Sequence, residues 1–109
     1  MGLLKIQPED CSVLGKVILK HMRENRTSLR EVSKAAGITH PSLRLYCLGQ
    51  GNPTCNTLRR LSKVLKIHPV ELYFLAHGET IKALASTSED KRFRAILNGI
   101  DRIKEKALA

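Results

Sequence analysis

Residues 28–48, S-L-R-E-V-S-K-A-A-G-I-T-H-P-S-L-R-L-Y-C-L, decide the architecture. Ser28 followed by Glu31 fits a capping box: the serine oxygen accepts from an early helical N–H, and the glutamate reaches back to the serine's own N–H. Val32, Ala35 and Ala36 then supply a small apolar face at helical spacing, and Gly37 stands where a left-handed residue ends a helix. Thr39 is a second N-cap, with Pro41 just behind it in the first turn, where a missing N–H costs nothing. The stretch therefore predicts two short helices joined by a tight, glycine-containing turn.

Two helices so joined make a helix-turn-helix motif, whose second member can lie in the major groove of DNA. The charge agrees with such a partner. A formal charge of +9 and a pI of about 9.9 favour polyanions, either nucleic acid or an anionic membrane surface. Residues 1–78 hold 12 Lys and Arg against 5 Asp and Glu, and residues 79–109 hold 7 against 5, so the basic excess belongs to the part containing the motif.

Working outward from the motif, Ser12 to about Arg26 places Val13, Leu14, Val17, Ile18 and Met22 at helical spacing, with Lys16, Lys20, Arg23 and Arg26 elsewhere on the helix. Residues 1–11, with Pro8, Glu9 and Asp10, form an arm leading into that helix; Leu3, Leu4 and Ile6 are either a loose tail or a segment packed on the domain. On the other side, Gly49-Gln50-Gly51-Asn52-Pro53 is a loop. Thr54 caps a helix carrying Leu58, Leu61 and Leu65, and Pro69 opens a short helix, V-E-L-Y-F-L-A, that Gly78 closes. Residues 12–78 thus read as a five-helix domain. Residues 79–88 read as a connection, after which Ser86 or Ser88 caps a last helix with Glu89 and Asp90 in its acidic first turn and Lys104 and Lys106 in its basic last turn. Phe93, Ile96, Ile100 and Ile103 form a stripe with heptad spacing, which packs either on its own domain or on a twin. Gly99 inside this helix is tolerable if close packing follows.

The run from Ser28 to Tyr73 resembles the phage Cro and repressor type of helix-turn-helix, a large bacterial family often called xenobiotic-response-element-like regulators. S-L-R-E-V-S-K-A-A-G-I-T-H-P-S-L, G-Q-G-N-P-T and T-L-R-R-L-S-K-V-L-K-I-H-P-V-E-L-Y carry the resemblance. It implies an all-α, lambda-repressor-like fold with an added C-terminal helix. It also implies that Leu43 anchors the recognition helix in the core, with His40, Pro41, Ser42 and Arg44 reading bases. Arg44 would take guanine O6 and N7 bidentately, a contact worth about 1–3 kcal/mol of discrimination. Phosphates would be met by Arg30, Lys34, Thr39, Gln50 and Asn52, and by Thr54 and Asn56 at a helix N-terminus, which favours an anion. The chain departs from the pattern at Leu29 and Pro41, where phage repressors often have glutamine.

The expected function is a sequence-specific DNA-binding regulator, a homodimer in a reducing cytoplasm. The alternative is an antitoxin or other interaction module whose residues 79–109 bind a partner protein. Cys11, Cys47 and Cys55 are odd in number and form no C-x-x-C pair, which supports neither a disulfide framework nor a zinc finger, and His21, His68 and His77 have no ligand spacing. No paired carboxylates, nucleophile–base arrangement or phosphate loop points to an enzyme, and no cofactor is implied. No apolar run is long enough to span a membrane, no signal-peptide pattern is present, and Met1-Gly2 lacks the Ser or Thr that myristoylation wants at Ile6.

Overall fold

The computed structural model describes residues 6–86 and 90–109, and every regular element among them is helical. A 3-10 turn at Pro8–Asp10 leads into α1 (Val13–Asn25), α2 (Leu29–Ala36), α3 (His40–Cys47), α4 (Cys55–Leu65), α5 (Pro69–Ala85) and α6 (Lys91–Leu108). No described helix is long and apolar enough to cross a membrane.

Local chemistry sets most of these boundaries. Ser12, Ser28, Thr39 and Thr54 each accept from the backbone N–H three residues on, at 3.1–3.3 Å, and so start α1 to α4. The Ser28 cap differs from the expected box in one bond. Glu31 Oε1 accepts from the Ser28 hydroxyl at 3.1 Å, so the hydroxyl both donates to and accepts from the same residue. Gly37 ends α2 at φ 68°, the left-handed conformation for which its missing Cβ suits it. Arg26 and Lys66 end α1 and α4 in the same conformation without that advantage.

The core sits where α1 to α5 meet. Leu14, Val17 and Ile18 of α1 join Val32 and Ala36, Leu43 and Cys47, Leu58, Leu61 and Leu65, and Leu72 and Leu75. Burial of each leucine or isoleucine contributes on the order of 1.5–3 kcal/mol against chain entropy. Ile6 packs against this core from outside, so the end of the arm is docked; Leu3 and Leu4 lie outside the described residues.

Two expectations for the C-terminal part are corrected. Helix α5 does not close at Gly78 but runs on to Ala85, across the expected 78/79 boundary, and residues 79–85 are helical rather than connecting. Gly78 serves as a close approach instead of a stop: it is buried, and a Cβ there would lie 3.0 Å from Ile100 Cγ2. Helix α6 begins at Lys91, capped by Asp90, whose carboxylate accepts from Arg92 N at 2.9 Å. Ser86 ends α5 rather than capping α6, while Ser88 and Glu89 lie outside the described residues. Among the described residues nothing stands within 4 Å of where a Gly99 Cβ would be, so no close packing there explains it. The apolar stripe of α6 divides: Ile100 is buried and Ile103 packs on the core, whereas Phe93 and Ile96 remain exposed.

Candidate nucleic-acid interface

Helix α3 is two turns long and is held from behind. Leu43 and Cys47, four residues apart, are both fully buried and fix one side of it in the core. Of its C-terminal carbonyls, those of Arg44, Leu45 and Tyr46 accept from the N–H groups of Leu48, Gly49 and Gln50 in the turn that follows, and that of Cys47 is taken up by the start of α1. Ser12 N–H donates to Cys47 O at 2.9 Å, and the Ser12 hydroxyl lies 3.1 Å from Tyr46 O and 3.2 Å from Cys47 O. Gly15 makes this approach close: a Cβ there would stand 2.8 Å from the Cα and carbonyl carbon of Cys47. Burial pushes the Cys47 thiol up to about 12, with Cys11 a smaller contribution, so Cys47 is a neutral packing group.

With that side fixed, the outward positions follow from helical geometry. Pro41 and Leu45 are exposed and four residues apart, so they share one face; Leu45 is 44% exposed. Ser42 lies beside them, half-buried. Thr39 Oγ1 donates to Ser42 Oγ at 2.7 Å and accepts from the Ser42 N–H, which leaves the Ser42 hydroxyl proton pointing to no acceptor among the described residues. His40 and Arg44 are half-buried and line a hollow with Leu19, Met22, Leu29 and Arg30. The Arg44 Nε is buried there without a hydrogen-bond partner, so this side chain lies back over α1 and α2 instead of standing off the face that carries Pro41 and Leu45.

Around α3 the residues expected to meet phosphate are exposed: Arg30 and Lys34 on α2, Thr39 at the cap, Gln50 and Asn52 in the loop, and Thr54 and Asn56 at the start of α4. Arg30 and Lys34 are one helical turn apart, and neither is in an ion pair among the described residues. Thr54 satisfies the Thr57 N–H, leaving those of Cys55 and Asn56 at a helix N-terminus, where backbone donors and the helix dipole both favour an anion. Gly49 and Gly51 turn the intervening loop at φ 76° and 83°.

Sequence reasoning missed two residues here. Leu45 is the exposed continuation of Pro41, and its position was implied once Leu43 was assigned to the core. Arg60 donates from Nη1 to Gly37 O at 3.3 Å and ties α4 to the turn between α2 and α3. Among the described residues no group of His, Cys, Asp or Glu comes together to hold a metal.

A model of the helix-turn-helix family matches residues 19–72, a span that opens within α1, contains all of α2, α3 and α4, and closes within α5. Searches of curated proteins and of solved structures found no match.

Proposed function

Because the chain belongs to the Cro and repressor type of helix-turn-helix family, whose members are DNA-binding regulators, we propose that it regulates transcription by reading one duplex sequence with α3 in the major groove. The observation that carries this reading is the outward face of α3, exposed beside the exposed cations Arg30 and Lys34, on a helix whose other side is fastened to the core. Pro41 and Leu45 present apolar surface suited to thymine methyl groups, and the Ser42 hydroxyl presents a donor suited to a purine N7 or a carbonyl acceptor. His40 and Arg44 flank this face, and Arg44 reaches a guanine only by leaving its hollow.

Register comes from the backbone. Arg30 and Lys34, Thr39, Gln50 and Asn52, and the start of α4 at Thr54 and Asn56 meet phosphates on either side of the groove. The protein acts as a homodimer on a partly palindromic site with half-sites about 34 Å apart or a multiple of that. It works as a repressor in the cytoplasm, where Cys11, Cys47 and Cys55, all free thiols, stay reduced.

Fluorescence anisotropy against a duplex library at two salt concentrations tests this. Tight binding to a subset of sequences, weakening steeply with salt, is expected. Absence of binding at low salt overturns the reading, and equal affinity for every sequence reduces it to nonspecific binding.

A further inference from the structure

Leu19 and Met22 of α1, Leu29 of α2 and Ile6 of the arm line a hollow of about 700 Å³, to which α3 contributes His40 and Arg44. All four aliphatic side chains are half-buried, so the hollow has an apolar wall that the core does not cover. Its size lies within the range of small-molecule sites, which are mostly apolar with a few convergent polar groups.

Charge and hydrogen bonding identify the occupant. Arg44 Nε is buried in the hollow with no partner among the described residues, although its guanidinium is permanently charged. A buried donor left unpaired costs free energy, and one without a protein acceptor marks the place of another. Arg30, exposed, stands at the rim of the same hollow. No aspartate or glutamate is among the described residues that line it, and neither arginine is in an ion pair among them. A second hollow, of about 340 Å³ between α1 and the turn from α4 to α5, differs in this respect. It holds Glu24 and Glu71 with its lysines, and Lys20 there already meets Glu24 at 3.6 Å.

We propose that the hollow beside Arg44 is an effector site for an aliphatic oxyanion, a molecule with one carboxylate or phosphate head and a short hydrocarbon body. The head accepts from Arg44 Nε–H and from an Nη–H beside it, in the bidentate geometry a guanidinium offers to either group. The body lies on Ile6, Leu19, Met22 and Leu29. Bound there, the ligand holds Arg44 in the hollow and cancels about one of the positive charges that Arg30 and Arg44 present to a duplex. It acts as an inducer, weakening binding to every sequence. This deepens the reading of the chain as a DNA-binding regulator, and its regulatory half rests on that reading.

Calorimetry and NMR on the full chain, with octanoate and octyl phosphate as probes, test the proposal. At least one probe is expected to bind one per chain with a Kd below about 1 mM, and the tighter one names the head. Octan-1-ol and acetate, which each lack half of the chemistry, should bind at least about 10-fold more weakly. The probe should shift the Arg44 Nε–H signal of the wild type, identified by its loss in R44Q. R44Q should bind octanoate no better than octan-1-ol while keeping its helical content. Saturating probe should weaken duplex binding by about 10-fold at roughly 0.1 M salt and lower the salt slope by about one. Binding of neither probe, equal binding of octanoate and octan-1-ol, or an unmoved Arg44 signal would overturn the site. Probe binding that leaves duplex affinity unchanged would overturn the regulatory half. Failure of the DNA reading looks different: a chain that binds the probe through Arg44 but binds no duplex leaves the site standing.

Discussion

Gly15 of α1 lies directly against the Cys47 carbonyl that ends α3, and the adjacent Ser12 N–H donates to the same oxygen at 2.9 Å. The opening helix and the groove-facing helix are therefore joined backbone to backbone.

G15A drives a methyl group into this contact, and the opposing atoms are main chain and cannot swing aside. The expected cost is at the upper end of the range for overpacking, about 3 kcal/mol, and Tm falls by more than about 10 °C for a chain of this size. Thermal denaturation followed by circular dichroism measures it. A G15A variant as stable as wild type would show that α1 and α3 do not meet this closely.

The glycine inside α6 behaves in the opposite way. Among the described residues Gly99 has open space around its missing Cβ, so G99A gains helix propensity and meets none of them. Stability should rise by about 1 kcal/mol, visible as a Tm increase of roughly 4–8 °C. A lower Tm would mean that α6 packs against something at this position.

These two glycines also show how far the sequence could be read. The caps, the Gly37 turn and the leucine spacing of α4 were legible because each is decided within a few residues, by one side chain and the nearest backbone N–H groups. Whether a glycine ends a helix, opens a close approach or merely interrupts depends on what lies opposite it, and for Gly15 and Gly78 that is a residue more than twenty positions away. Gly78 looked like a stop for that reason. The same holds on α3: which residues it comprises was readable, but the lie of Arg44 is set by Leu19, Met22 and Leu29 on other helices.

On the reading face, L45A should relax preference at one base pair by about 1 kcal/mol and leave Tm nearly unchanged, since Leu45 is exposed. R30A and K34A should weaken all sequences alike, each reducing the salt slope by about one. R44A should resemble these two more than L45A. Anisotropy with single-base-pair variants of the best site separates the cases; an R44A effect confined to one base pair would put Arg44 in the groove.

The thiols offer a chemical footprint. Cys55 is exposed at the start of α4, while Cys47 is buried and its thiol is pushed up to about 12. A charged alkylating reagent should modify Cys55 first, cognate DNA should slow that reaction, and Cys47 should react only on unfolding. Cys11, raised first by burial and then by Asp10, should be slower than Cys55. Cys47 also predicts an alkaline limb. Its folded value lies above the ordinary 9.0, so the unfolded chain releases its proton first, and stability falls as pH rises from about 9 towards 12. C47A should be less stable at neutral pH and lose less in that window; equal losses in urea denaturation at pH 8 and pH 10.5 would refute the assignment.

Because α3 is fastened through the carbonyl of Cys47, the Ser12 cap and the buried Leu43, its attachment to the core does not run through the side chains at positions 41 and 45. Together with Ser42, whose hydroxyl meets the Thr39 cap of the same helix, those positions form an exchangeable cassette. A library randomised there and selected on altered operators should yield new specificities on an unchanged scaffold, a route by which duplicated copies of such a gene can diverge in target without first having to restabilise the protein.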